Sequence, residues 1–190
     1  MEAKDISYVE VDSVIGRVGG KVLLTIHFKS CDLMLAFLRD RNTSQSVIDI
    51  FDYLYGLLGH SCFKKLLGVV LTDNGSEFTN PKALEFDTQG SQRTKVFYCD
   101  PYASFQKPNV ELNHEFLRRI LPKGYPFDHL IQEDVNIMMS HINSYSREKF
   151  GDKSPIEVFQ TLYGADILEK LSIFQIPPNE ILLKPTLLKK

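Results

Sequence analysis

The tract Leu71-Thr72-Asp73-Asn74-Gly75-Ser76-Glu77-Phe78 decides how the rest of the chain is interpreted. It continues an apolar run that begins at Gly68 and is typical of a buried β-strand. The strand ends on a carboxylate, and Asn74-Gly75 then favours a turn, because both residues tolerate positive φ. Ligands of open α/β sheets bind at the carboxyl ends of strands. Asp73 is therefore a candidate for chemistry, although a plain turn is the alternative interpretation of this tract alone.

The composition is that of one globular domain. The chain has 190 residues, of which 43% are hydrophobic and 24% are charged. Its net charge of −2 excludes a polybasic nucleic-acid binder, so any contact with DNA has to come from a local patch. Cys31, Cys62 and Cys99 are far apart and predict no disulfide framework. No apolar run approaches the roughly 20 residues that span a membrane, so we expect a cytoplasmic protein without a membrane partner.

The predicted order of elements is three strands, a helix, two strands and then helices. Alternation over Tyr8–Val14 and apolar runs over Val22–Phe28 and Leu33–Leu38, joined by short turns, predict an antiparallel meander. Helical spacing over residues 47–58 predicts a crossover helix, which lets a strand at Val69–Thr72 add in parallel. A short helix is predicted at 81–85, a loop at 87–94, a fifth strand at 95–99 and a helix at 109–121. The C-terminal region is predicted to be helical, with an apolar stripe at 135–142, a capping box at 154–157 and a helix at 162–171. Residues 182–190 are predicted to form a tail or a dimer arm.

The predicted helix at 109–121 has an apolar and a polar side. At about 100° per residue its large apolar side chains fall on one side, and only Asn113 interrupts them. The opposite side carries Glu111, His114, Glu115, Arg118 and Arg119. A solvated helix face with local Glu–Arg pairs is the alternative interpretation of this pattern.

Three carboxylates lie on elements that can converge. Asp12 lies in the first strand, Asp73 follows the fourth, and Glu111 lies near the start of the helix after the fifth. A carboxylate in a central strand is costly to bury unless it is paired or bound to a metal. Two Asp and one Glu are what a two-metal phosphoryl-transfer site requires, since hard oxygen ligands suit Mg²⁺ or Mn²⁺.

Four tracts of the chain carry a family resemblance, and together they span about residues 8 to 160. They are Glu10–Gly16, Leu71–Phe78, Cys99–Gly124 and Asn143–Phe159. These tracts resemble the catalytic core of DDE transposases, close to the insertion-sequence family known as "IS thirty" and more distantly similar to retroviral integrase. The chain differs from the family pattern in having Val9 in place of Trp, Pro108 in place of Gly and Leu112 in place of Asn, and its sequence lacks the family's N-terminal helix-turn-helix region.

The resemblance implies an α/β, ribonuclease-H-like fold, with a mixed five-stranded sheet flanked by helices. Residues 1–165 would form the integrase-like catalytic core and residues 166–190 a C-terminal helical tail. The implied activity is metal-dependent DNA strand cleavage and strand transfer during transposition. Asp12, Asp73 and Glu111 would be the catalytic residues and would bind two Mg²⁺ ions, for which Mn²⁺ can substitute.

The resemblance also implies partners and contacts. The partners would be transposon-end and target DNA, bound by a homodimer or higher oligomer on the bacterial nucleoid. The expected DNA contacts are Asn74, Lys107, His114, Arg118, Arg119 and Lys123, whereas Glu77 and Glu115 are interpreted as structural. Two alternatives stay open: a catalytically silent relative that binds DNA or protein, and a ribonuclease-H-like nuclease that acts on RNA–DNA hybrids.

Overall fold

A mixed five-stranded sheet forms the centre of the fold. The computed structural model describes residues 8–100 and 108–188, without the side chains of residues 108–112. The strands are β1 (Val9–Ile15), β2 (Val22–Phe28), β3 (Met34–Arg39), β4 (Val69–Thr72) and β5 (Lys95–Tyr98). Their order in the sheet is β3-β2-β1-β4-β5; β1, β2 and β3 pair antiparallel, while β4 and β5 add parallel to β1. The predicted meander and the predicted parallel addition of the strand at Val69–Thr72 are confirmed, and β5 also adds in parallel.

Helices surround this sheet. They are α1 (Ser44–Leu58), α2 (His60–Leu67), α3 (Pro81–Glu85), α4 (Pro108–Ile120), α5 (Gln132–Ser144), α6 (Pro155–Tyr163) and α7 (Asp166–Lys170). Short 3-10 helices lie between or after these elements, at Ser76–Phe78, Glu148–Phe150, Pro178–Glu180 and Pro185–Leu188. Within the described residues, no helix is both long and apolar enough to cross a membrane.

Local signals account for most helix boundaries. The Thr43 side chain accepts the Ser46 amide and starts α1, and the predicted capping box between Ser154 and Glu157 starts α6. The prediction of continuous helix over residues 162–171 is wrong, because Gly164, with φ of 98°, separates α6 from α7. Helix α2 was not predicted.

Side-chain amides from α5 cover the outer edge of β3. Asn143 Oδ1 accepts the Met34 amide at 2.9 Å, and its Nδ2 donates to the Met34 carbonyl at 2.8 Å. Gln132 accepts the Leu38 amide at 2.8 Å and donates to the Ala36 carbonyl at 2.9 Å. These contacts reproduce the hydrogen bonds of a further strand, and so protect an edge that would otherwise pair with another chain.

The segment after residue 165 packs against the same hydrophobic core as the sheet. Ile167 and Leu168 of α7 are buried, and Leu183, Leu187 and Leu188 rest on the core cluster. The Leu182 amide donates to His141 Nδ1 on α5 at 3.1 Å. The described part of the predicted tail therefore folds back onto the protein.

Arg93 is a fully buried cation in the stretch that was predicted only as a loop. Its Nε and Nη2 donate to the carbonyls of Leu84 and Ala83 at 2.9 and 3.0 Å, and its Nη1 lies 2.6 Å from Asp52 Oδ1. The two carbonyls belong to the last turn of α3, where helical partners are missing. Arg93 therefore joins α1, α3 and the start of β5.

Replacing Arg93 tests this junction. We expect Arg93→Ala to lower the free energy of unfolding by about 3 kcal/mol, because it leaves a cavity and two buried carbonyls without donors. Asp52→Asn is the matched control, and should cost less than about 1 kcal/mol because Asp52 is 45% exposed. Chemical denaturation of both variants measures the difference, and equal losses would contradict a junction built by Arg93.

Candidate active site

The pairing of β1 with β4 brings two of the predicted catalytic carboxylates together. The strands are parallel, with Glu10 opposite Leu71. If this register continues for two residues beyond the paired positions, Asp12 lies opposite Asp73, which directly follows β4. They lie on the same face, because side chains alternate along a strand, and adjacent strands are about 4.8 Å apart.

Asp12 is oriented by its own strand and faces α4. Its Oδ1 accepts the Ser13 amide at 2.9 Å, and its Oδ2 lies 3.9 Å from His114 Nδ1. Thr25 donates its hydroxyl to the Asp12 carbonyl at 3.2 Å, so the contact of 2.9 Å between this hydroxyl and His114 Nε2 requires Nε2 to donate. In neutral His114, Nδ1 and the Asp12 carboxylate are then both acceptors. A positive charge near this pair, whether a proton or a metal ion, would stabilise the arrangement.

Asp73 is oriented by the turn that follows β4. Its Oδ1 accepts the Gly75 amide at 2.9 Å, and Asn74 donates to the Cys99 carbonyl at 2.9 Å, which ties the ends of β4 and β5. The predicted turn does not use the positive φ that Asn and Gly tolerate, since Gly75 has φ of −59°. Glycine is needed there for space, since a Cβ would lie 2.6 Å from Glu77 Oε2 and 3.0 Å from Asp73 Oδ1.

Glu77 is a buried carboxylate immediately behind this turn. Burial raises its pKa, but hydrogen bonds from Ser13, its own amide and Asn42, together with the charge of Arg39, outweigh burial and hold the pKa of Glu77 below its ordinary value. Arg39 also donates to Ser13 Oγ at 2.8 Å, and burial lowers the Arg39 pKa to about 10. An Arg39–Ser13–Glu77 network thus joins the residue after Asp12 to the turn that holds Asp73.

The sequence did not predict this network. Glu77 was interpreted as structural, but its partners Ser13 and Arg39 were not singled out. The available signal was the position of Glu77 within the Asp73 tract, four residues after the aspartate. Its buried partners come from β1 and β3, so their contact cannot be inferred from spacing.

The helix that carries the third predicted carboxylate crosses this face of the sheet. His114 reaches Asp12, and Glu111 lies three residues earlier on α4, which puts the two positions on one helix face. The side chain of Glu111 lies outside the described part of the structure. Among the described residues, no group of three His, Cys, Asp or Glu side chains could hold a metal ion. A third carboxylate ligand at Glu111 therefore stays a prediction.

Asn113 interrupts the apolar side of α4 because it binds a buried polar cluster. Its Nδ2 lies 2.9 Å from His27 Nε2, and Arg147 donates to its Oδ1 at 3.4 Å. His27 Nδ1 in turn lies 3.8 Å from Glu10, which is the residue opposite it in the β1–β2 register. This cluster fixes the rotation of α4 above Asp12.

The predicted DNA contacts have different surroundings. Asn74 is exposed, but its amide is used by Cys99, and Arg118 donates to the Ile15 carbonyl at 3.1 Å while burial lowers its pKa. Arg119 is exposed and lies 4.9 Å over the Phe116 ring, and Lys123 is exposed. Lys107 lies outside the described residues.

The donor set at this edge fits a hard divalent cation. Asp12 and Asp73 supply carboxylate oxygens, which are the ligands that Mg²⁺ and Mn²⁺ prefer. Both side chains are partly exposed, and each has one oxygen fixed by a backbone amide. The pair is therefore accessible to an ion and oriented before an ion binds.

The chain is similar in sequence to proteins that are named as an integrase and a transposase. No family model matches the chain. It is 23% identical over 158 residues to the putative integrase ORF3 of Spiroplasma virus SpV1-R8A2 B, and 21% identical over 154 residues to the transposase for insertion sequence element IS4351 of Bacteroides fragilis. These matches cover 83% and 81% of this chain, but 47% and 44% of the two relatives. The chain thus spans about half the length of the curated relatives that it matches.

Structural comparison gives the fold. The chain overlaps the crystal structure of the catalytic core domain of BIV integrase with a TM-score of 0.56 and 16% sequence identity, over 84% of this chain and 97% of that one. At this level of identity the likeness concerns the fold alone. The chain has the ribonuclease-H-like α/β fold of integrase catalytic cores, so the predicted fold class is confirmed.

Proposed function

We propose that this chain is the catalytic core of a DDE transposase, which cuts and joins DNA strands with divalent metal ions. The observation that carries the proposal is the parallel register of β1 and β4; continued by two residues, this register would set Asp12 beside Asp73 at the carboxyl ends of the two strands. Relatives named as an integrase and a transposase support a role in DNA integration or transposition. The finer assignment, to the "IS thirty" family, rests on the four tracts of sequence.

The residues of the site would have distinct roles in binding and using the metal ions. Bound Mg²⁺ ions would supply a Lewis acid and an activated water for in-line displacement at a phosphodiester. Asp12, with its orientation held by the Ser13 amide, would hold the ions together with Asp73 and Glu111. His114 would face the bound ions from α4, with its Nδ1 3.9 Å from Asp12 Oδ2.

The DNA would lie along the exposed basic residues next to this edge. Arg119 and Lys123 are exposed, so they can contact phosphates of transposon-end or target DNA, whereas Arg118 holds the end of β1. Assembly as a homodimer or higher oligomer on DNA belongs to the same proposal.

Substitution of Asp73 tests the metal site. We expect Mn²⁺ to raise the melting temperature of the parent, because binding to the folded state relieves carboxylate repulsion. Asp73→Asn should lose this response and Mg²⁺-dependent nicking of duplex DNA, yet stay as stable as the parent without metal, since an amide oxygen still accepts the Gly75 amide. Asp73→Ala is the control for the turn, and should lose about 1 kcal/mol. The metal-site proposal fails if the parent gains nothing from Mn²⁺ and Asp73→Asn is clearly destabilised.

Substitution of Glu77 tests how the two strand ends are held. We expect Glu77→Gln to lose about 1 kcal/mol near pH 7, because the amide cannot replace the charge-assisted hydrogen bonds. The Glu77 pKa is lowered in the folded state, so its stabilisation is present above the unfolded pKa and disappears as pH falls through the folded pKa. The stability difference should therefore shrink in acid.

The same variant should reduce the Mn²⁺-induced rise in melting temperature, because the Asp73 turn loses its support. Glu115→Gln is the matched control, since Glu115 is an exposed glutamate on α4. It should change neither stability nor the response to Mn²⁺. If Glu77→Gln and Glu115→Gln behave alike, Glu77 does not support the Asp73 turn.

A further inference from the structure

Positive charge is concentrated in one corner of a chain that is slightly acidic as a whole. The chain has 24 Asp and Glu among 190 residues, yet residues 53–72 and 88–99 contain none. These two stretches carry Lys64, Lys65, Arg93 and Lys95, and they fold together where α2 meets the start of β4 and β5. Arg93 is neutralised by Asp52, so the three lysines supply the excess charge.

The three lysines line one cavity of about 520 Å³, which opens between α2 and the beginnings of β4 and β5. All three are exposed, and within the described residues none has a carboxylate within 4 Å. Lys65 lies 5.3 Å over the Tyr163 ring, which holds its ammonium group without neutralising it. Three ammonium groups around one cavity, none in an ion pair with a carboxylate of the described residues, repel each other and favour a polyanion.

The cavity lies at the opposite end of β4 from Asp73, on the same face of the sheet. The side chains of Val69, Leu71 and Asp73 lie on this face, because side chains alternate between the two faces along a strand. On β5, Lys95 is opposite Val69 and Phe97 is opposite Leu71. Phe97 is 53% exposed, so this part of the face is open to solvent. The four residue steps from Val69 to Asp73 correspond to about 13 Å.

This distance matches the spacing of phosphates along DNA. Each strand of a duplex presents one phosphate per about 3.4 Å of helix axis, so the lysine cavity is about four phosphates away from the Asp73 edge. A duplex positioned for cleavage at Asp12 and Asp73 can extend along the open face of β4 and β5 and reach the lysines.

We propose that the cavity lined by Lys64, Lys65 and Lys95 binds the phosphate backbone of DNA about four nucleotides from the phosphodiester that is cut. The identity of the ligand as DNA rests on the proposed function, but the binding itself needs neither metal nor catalysis. Lysine contacts to phosphate position DNA without reading its sequence, so this site would set the path of the duplex.

The test is the salt dependence of DNA binding, measured in EDTA by fluorescence anisotropy with a labelled duplex. The combined variant Lys64→Gln, Lys65→Gln and Lys95→Gln should lower the slope of log K against log salt by about 1 for each lost contact, so by 2 to 3 in all. The matched control is Lys82→Gln, Lys153→Gln and Lys184→Gln, which removes the same charge from exposed lysines outside the cavity. A slope that falls equally in both variants would overturn the proposal.

Two further arms separate the possible outcomes. If inorganic phosphate raises the melting temperature of the parent but not of the cavity variant, while the DNA slope is unchanged, the cavity binds free phosphate and the DNA proposal is wrong. Asp73→Asn should bind DNA with the parent's slope. A parent protein that does not nick DNA but keeps a cavity-dependent slope would contradict only the catalytic proposal, whereas a parent protein that nicks DNA without a cavity-dependent slope would contradict only this inference.

Discussion

The parallel pairing of β1 with β4 is the constraint on which the rest of the structure depends. In the described residues it consists of two pairs, Val9 with Val70 and Glu10 with Leu71, yet it sets the height at which Asp12 and Asp73 leave the sheet. A slip of one residue would turn Asp73 to the opposite face. So short a pairing needs support from outside the strands, and the Arg39–Ser13–Glu77 network supplies it at the end where the carboxylates lie.

Buried polar groups recur wherever one element must be held in a single position against another. Arg93 joins α1, α3 and β5; Asn143 covers the edge of β3; and Asn113 fixes α4 through His27. Burying such groups is unfavourable unless they are hydrogen-bonded, so a shifted arrangement that loses these bonds is disfavoured. The apolar core makes the protein compact, and these polar contacts determine which positions the elements take.

The sequence predicted those features that depend on neighbours along the chain. The alternation in β1, the capping box at Ser154 and the apolar run of β4 are local, and each was found in the expected place. The role of Arg93 and the partners of Glu77 were not predicted, because these partners come from other elements. Helix α2 was missed where a helix follows a helix across Gly59. The roles of Asp12, Asp73 and Glu111 came from order, chemistry and family resemblance, and stay predictions.

The central claim is that Asp12 and Asp73 bind the same divalent ion. The most direct measurement is an anomalous difference map from a crystal of this protein soaked in Mn²⁺. The account predicts a peak at about 2.1 Å from a carboxylate oxygen of each aspartate, on the face of the sheet that α4 crosses. A fully soaked crystal with no peak between the two carboxylates, or with ions bound only elsewhere, would contradict it.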